Sequence, residues 1–293
     1  SRDTAPLLHL FYLPGLKRLS MHMHLDPVAD FPWPDASPPC AARLEYLSII
    51  QPHELHLGPI LSSTPNLQTL HWNRGCEPDS GPWPSVNLQH LSTALGQVKK
   101  TLKELRIRAY NPPTPGSRSL AAFQVPLHSL SLVEFDKITV LEVPITFVMG
   151  YPSRDIQMNH FPPNLQRLAI TTDSSPNLGR RLLDIESPGI EPDVKIVYGN
   201  AMRRWLDADA KRETPHLKKV TFLMLVSQPP FASETSEEWR KLRKTITLID
   251  IEIIYVNDDY YGPMVTTEPE KSGNRRGRCI PRFRQRRTYL PSR

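Results

Sequence analysis

Side chains suited to chemistry are widely spread in this sequence. His22 and His24 lie two apart, the spacing that puts both on one side of an extended segment, where they would share a metal ion. His53 and His56 make a second pair. Neither pair has a cysteine or carboxylate at ligand spacing to complete a four-coordinate set, so surface histidines are the expectation and no metal site is assigned. Acidic residues show no spacing that would pair them for proton transfer. The sequence holds no phosphate-cradling G-x-x-x-x-G-K-[ST], no dinucleotide G-x-G-x-x-G, no nucleophile elbow G-x-S-x-G and no zinc-binding H-E-x-x-H. The expectation is a chain that is not an enzyme, with no catalytic residues and no cofactor.

A different set of polar residues recurs in one phase of a repeated pattern. Phe161-Pro-Pro-Asn-Leu165-Gln-Arg167-Leu168-Ala169-Ile170-Thr171 contains L-x-x-L-x-I behind a proline. In a strand, Leu168 and Ile170 share one face, and Arg167, Ala169 and Thr171 share the other. The same pattern starts at Leu16, Leu44, Leu67, Leu102, Leu127 and Leu217, with a weaker copy at Ile138. Its third, fifth and seventh positions form the polar face. The first three copies place Arg18, Ser20 and His22, then Tyr46 and Ser48, then Thr69, His71 and Asn73 on it. The next three place Glu104, Arg106 and Arg108, then Ser129 and Ser131, then Glu142. The last two place Arg167, Ala169 and Thr171, then Lys219 and Thr221. The fifth-position residues are mostly small or polar, as in an open, solvated groove for a protein partner. Arg106, Arg108 and Arg167 would favour an acidic segment of that partner.

One such strand cannot bury its apolar face; copies must stack beside it. Successive copies start 28, 23, 35, 25, 11, 27 and 52 residues apart. Most of these gaps lie in or near the roughly 20–29 residues of a leucine-rich repeat. Pro14, Pro65, Pro163 and Pro215 each precede the first leucine by two, and read as punctuation that stops a helix and starts a strand. Helices are expected over Glu54–Ser63 and over a segment capped by Ser85 with Leu88, Leu91, Leu95 and Val98 at helical spacing. Others are expected at Ser117–Phe123, from Pro176 through Ile185, over Ala201–Lys211 with Met202, Trp205 and Leu206 inward, and from Thr235. Ile246–Val256 reads as a last strand. Trp33, Trp83 and the Tyr260-Tyr261 pair read as aromatic anchors of loops. The fold class expected is α/β: an irregular leucine-rich-repeat solenoid over residues 1–256, a curved parallel sheet with helices and loops on its convex side.

The segment Phe135-Asp-Lys-Ile-Thr-Val-Leu-Glu-Val-Pro-Ile-Thr-Phe-Val-Met-Gly150, followed by Phe161-Pro-Pro-Asn-Leu-Gln-Arg-Leu-Ala-Ile170, resembles the repeat region of fungal F-box/leucine-rich-repeat proteins. In that family a strand ending in V-P runs into an apolar turn ending in glycine, and a P-P-x-L-x-x-L-x-I strand follows. The resemblance implies a substrate-recognition domain whose repeats hold a protein substrate. An F-box ahead of the repeats would bind the Skp1 adaptor of a Cullin–RING ubiquitin ligase. No F-box is visible here; it is expected to precede Ser1, and the chain reads as a fragment. A leucine-rich-repeat scaffold or adaptor with no link to ubiquitin is the alternative.

Three well-separated cysteines, Cys40, Cys76 and Cys279, form no disulfide framework, and no N-x-[ST] sequon occurs. Both favour an intracellular compartment, cytoplasmic or nuclear. No apolar run is long enough for a membrane helix. The net charge of +6 is unevenly placed: residues 271–293 carry nine basic residues and no acid, which leaves residues 1–270 at −3. Residues 257–293 read as a disordered tail, basic from 271. Within it Arg282, Arg284, Arg286 and Arg287 fit a nuclear-targeting segment. Nucleic acid is not the expected partner, because no base-reading aromatic or groove-binding context accompanies these arginines.

Overall fold

Proline ahead of a repeat's first leucine forms the corner of a turn. In Leu13-Pro14-Gly15-Leu16, Thr64-Pro65-Asn66-Leu67, Pro162-Pro163-Asn164-Leu165 and Thr214-Pro215-His216-Leu217, the leucine N–H donates to the carbonyl three residues back, at 3.2, 3.1, 3.2 and 3.0 Å. Proline occupies the second position, where its fixed φ is already correct and no N–H is needed. Ala41–Leu44 and Phe135–Ile138 close the same way without proline. The phased prolines therefore aim the chain into each strand; they do more than stop a helix. In two of these turns asparagine follows proline and reaches back one repeat. Asn66 Nδ2 donates to the Ala42 carbonyl at 2.8 Å, and Asn164 Nδ2 to the Asp136 carbonyl at 2.7 Å.

The computed structural model describes residues 5–23, 25, 31–50, 52–74, 86–109, 129–149, 161–171, 201–202, 204–225 and 249–256. The chain divides into two compact units, Ser1–Gly262 and Pro263–Arg293, and every described residue belongs to the first. The expected helices at 117–123, 176–185 and from 235, the aromatics Trp83, Tyr260 and Tyr261, and the basic segment with Arg282, Arg284, Arg286 and Arg287 lie outside the described residues.

Among the described residues eight strands make one sheet: β1 (Arg18–His22), β2 (Tyr46–Ile50), β3 (Thr69–Arg74), β4 (Glu104–Ala109), β5 (Val140–Pro144), β6 (Arg167–Thr171), β7 (Lys219–Leu225) and β8 (Asp250–Val256). They are hydrogen-bonded in chain order and all neighbours run parallel. The protein is thus α/β, with a parallel sheet. The apolar positions of the repeats are in register. Leu19, Leu47, Leu70, Leu105, Leu141, Leu168 and Val220 align across β1–β7; Met21, Ile49, Trp72 and Ile107 align across β1–β4, and Val143, Ile170 and Phe222 across β5–β7. All fourteen are buried in one core. Trp72, fully buried, also donates its indole N–H to the Pro52 carbonyl at 3.0 Å.

The copy beginning at Leu127 forms no strand among its described residues. β4 pairs directly with β5, whose motif starts at Ile138. Only 11 residues separate the two starts. Parallel neighbours need a crossover of about a dozen residues or more, so both copies cannot take adjacent places. Ile138, Val140 and Val143 are β-branched and suit the strand. Leu130 and Leu132 still enter the core, and the Leu130 N–H donates to the Phe147 carbonyl at 2.6 Å. Ser129 and Ser131 consequently lie off the sheet.

Short helices fill some of the connections. α1 (Ala5–Leu8) runs into a 3-10 turn, His9–Tyr12, ahead of β1. α2 (Glu54–Ser62) follows β2, α3 (Leu88–Gly96) follows β3, and α4 (Ile145–Met149) continues directly from β5. A π-helical turn, Trp205–Asp209, leads into α5 (Ala210–Glu213), with Met202, Trp205 and Leu206 buried. Trp33 packs on the core through Phe31 and Phe11, with ring centroids 4.6 and 5.5 Å away, as a loop anchor would.

Asn87, two residues beyond the expected cap Ser85, caps α3 by accepting from the N–H groups of Gln89 and His90 at 3.0 and 3.2 Å. Its own N–H donates to Glu54 Oε1 at 2.8 Å, and the other oxygen of Glu54 lies 3.4 Å from Arg74 Nη1. Glu54 and Arg74 are both buried. One carboxylate therefore ties the start of α2 to the end of β3 and to the start of α3. Replacing it leaves the Arg74 charge in place without that counter-charge. Glu54→Ala should cost about 3 kcal/mol, the usual scale for removing one partner of a buried ion pair. Chemical denaturation of the variant beside the parent chain measures it; a loss below about 1 kcal/mol, the scale of an exposed pair, would show that the contact does not hold the helices.

A polar ladder across five strands as the candidate site

The sheet register places the predicted polar positions in rows. Arg18, Tyr46, Thr69, Glu104, Val140, Arg167 and Lys219 align at the third position. Ser20, Ser48, His71, Arg106, Glu142, Ala169 and Thr221 align at the fifth. At the seventh, His22 pairs with Ile50, Ile50 with Asn73, Asn73 with Arg108, and Thr171 with Leu223. Every predicted face residue except Ser129 and Ser131 is therefore brought onto this face.

The face is not the open groove expected. Ser48 and Asn73 are 1% exposed, His71 is 3%, and Arg108 and Glu142 are each 5%. Arg18, Ser20, His22 and Arg167 are exposed, and Thr69, Arg106, Ala169, Lys219 and Thr221 are half-buried. Neighbouring strands stand only about 4.8 Å apart, so large side chains in the middle strands close over the small ones between them.

Those large side chains form a continuous chain of contacts. The Arg18 guanidinium sits over the Tyr46 ring, 4.5 Å from its centroid. The Tyr46 ring meets the His71 ring edge-on at 5.1 Å, and its hydroxyl lies 3.2 Å from His71 Nδ1. His71 Nε2 lies 3.2 Å from Glu104 Oε1. Arg106 donates to the same oxygen through Nε at 2.6 Å, and its Nε lies 4.0 Å from Glu142 Oε2. Arg108 Nε donates to Glu142 Oε1 at 2.6 Å. Five consecutive strands are joined.

The protonation states follow from this geometry. The hydrogen bond from His71, aided by the charge of Arg106, holds the Glu104 carboxyl at a pKa of about 2, so it is ionised at neutral pH. An ionised acceptor requires the His71 proton on Nε2, which leaves Nδ1 to accept from the Tyr46 hydroxyl. Burial lowers the His71 pKa despite Glu104, so the ring is neutral. Burial raises the pKa of Tyr46, which keeps it a phenol rather than a phenolate. The arrangement is a row of fixed donors and acceptors with alternating charge. Arg106 and Arg108, expected to attract an acidic partner, are instead held by carboxylates of this chain. The register brings Glu142 opposite Arg106, whereas Glu104 lies two residues before Arg106 on the same face of β4.

A second concavity lies at the other end of the same strands. Positions just before the strands, Lys17, Glu45, Gln68 and Lys103, line up at their N-terminal ends, and with Arg43, Lys100 and Lys137 border a cleft of about 570 Å3. These four residues occupy the second position of the repeat pattern, which the sequence leaves unassigned. Among the described residues no group of three metal-ligating side chains converges, and no helix is long and apolar enough to cross a membrane. Comparison with protein-family models finds no match, and comparisons with curated proteins and with solved structures find none either.

Acid should weaken the ladder from two directions. His71 has a lowered pKa in the folded chain, so its stabilising effect is present above the unfolded value of 6.5 and is lost as pH falls below it. Glu104 contributes fully above the unfolded value of 4.5 and loses its contribution as pH falls towards about 2. Glu104→Gln should accordingly lower Tm at pH 7, and the gap from the parent chain should shrink between pH 5 and pH 2.5. Melting curves across that range check it; a gap independent of pH would show that Glu104 acts through packing and not through its charge.

Proposed function

We propose that this chain is an irregular leucine-rich-repeat solenoid acting as a protein-interaction domain, the substrate-recognition region of an F-box subunit of a Skp1–Cullin–F-box ubiquitin ligase. One observation carries the reading: eight parallel strands are hydrogen-bonded in strict chain order, with the same repeat position aligned from strand to strand. A chain built this way grows in one direction and offers a long polar face instead of a single pocket. The solenoid curves, in this reading, with its helices and loops on the convex side. The protein substrate meets the exposed ends of the polar face, around Arg18, Ser20 and Arg167, while the buried ladder between them sets its shape. Skp1 is engaged only through an F-box encoded ahead of Ser1, and the setting is intracellular.

Support for the ubiquitin-ligase part is the resemblance of residues 135–170 to the repeats of F-box proteins. Co-purification decides it. The product that includes sequence upstream of Ser1 should retain recombinant Skp1 on a column, while residues 1–293 alone should not. Failure of the longer product to retain Skp1 would sink the F-box reading and leave the scaffold without a ubiquitin link.

A further inference from the structure

The cleft at the N-terminal ends of the strands has a composition unlike that of the ladder. Lys17, Arg43, Lys100, Lys103 and Lys137 surround it, and Glu45 is the one carboxylate bordering it among the described residues. All six are exposed. Lys103 Nζ donates to Gln68 Oε1 at 2.9 Å, and Lys137 Nζ lies 3.3 Å from Asp136 on the neighbouring surface. This end of the sheet is strongly positive although residues 1–270 as a whole carry −3. The backbone beneath the cations is tightly held. The Lys17 carbonyl accepts from the N–H groups of Glu45 and Tyr46, and the Glu45 carbonyl from those of Gln68 and Thr69. The Gln68 carbonyl accepts from Lys103 and Glu104, so the side chains of this row project from fixed points.

We infer that this basic cleft is a docking site for an extended acidic polypeptide segment, lying across the strands and separate from the polar face. The dimensions suit such a ligand. The cleft runs from the turn before β1 to the turn before β5, four strand spacings or about 19 Å, which an extended chain covers in roughly six residues. The amide of Gln68 and the carboxylate of Glu45 supply hydrogen-bonding groups for a peptide backbone. The same carboxylate would repel an unbroken line of phosphates, and among the described residues no aromatic side chain borders the cleft on which a base would stack. Negative charge on the segment comes from aspartate and glutamate or from phosphorylated serine; both present anionic oxygens to ammonium groups. The inference does not rest on the ubiquitin-ligase reading.

Fluorescence anisotropy with the whole chain tests it, using three labelled probes at 50 mM salt: a ten-residue Glu/Ser peptide, the same peptide with phosphoserines, and a ten-residue oligoadenylate. A peptide should bind, and Lys17→Glu, Arg43→Glu and Lys100→Glu together should weaken it at least tenfold, while Arg167→Glu on the strand face changes it less than twofold. Exposed positions make these substitutions compatible with folding, which the parent Tm confirms. A tighter phosphorylated probe assigns the charge to phosphate, and equal binding assigns it to carboxylate. The inference is overturned if neither peptide binds, if the triple variant binds as well as the parent, as it would were the basic segment 271–293 responsible, or if oligoadenylate binds more tightly than either peptide.

Discussion

A forked hydrogen bond between successive repeats underlies everything else in this molecule. The carbonyl of the residue just before each of the first six strands, Lys17, Glu45, Gln68, Lys103, Thr139 or Gln166, accepts from two consecutive N–H groups of the next repeat. The bond recurs from β1 to β7 at distances of 2.7–3.3 Å. It holds each repeat to its neighbour at one point, just after the turn that proline or its substitute has aimed. A slip of one residue would turn the apolar row to the polar face and the polar row into the core. With the fork in place Leu19 and its six partners stack, and so do Met21 and its partners; the core is continuous because the register never drifts.

The same register produces the polar ladder. Once the strands are aligned, His71 and Arg106 stand side by side about one strand spacing apart with Tyr46 on the diagonal from His71, and Glu104 and Glu142 stand within reach of Arg106. Burying this many polar groups is costly unless each finds a partner. Glu142 at 5% exposure is tolerable because Arg108 Nε donates to it at 2.6 Å, and His71 because both ring nitrogens are used. The result is a stiff polar strip in the middle of the face, with exposed residues at its ends and a separate basic cleft along its N-terminal rim. Stiffness suits recognition, since a surface already ordered loses little freedom when it binds.

Much of the fold could be read directly, for a simple reason. Alternation with a period of two, repeated seven times with a leucine at the same phase, states both which residues face the core and which strands share a register. Leu168 and Ile170 on one side and Arg167, Ala169 and Thr171 on the other are where the alternation puts them. The strand at Leu127 is where local pattern and chain length disagree. Its motif is the better match, but a stretch of 11 residues cannot return the chain to the next place in a parallel sheet, so the Ile138 copy takes it. The α3 cap is a smaller example: Ser85 and Asn87 both carry capping oxygens, and the one next to Leu88 is used.

What the sequence determined by itself was the alternation, the turns and the composition of each row, because these depend on neighbours along the chain. Tertiary structure decided what the rows do. Whether Arg106 meets solvent or Glu104, whether His71 is a neutral link or a surface base, and whether Lys17, Arg43 and Lys100 gather around one cleft depend on which residue of another repeat stands opposite. Apart from Glu104, two residues before Arg106 on the same strand, those partners lie 24 or more residues away in the chain, and a Coulomb or hydrogen-bond energy depends on distance in space, which no spacing along the sequence specifies until the register is set.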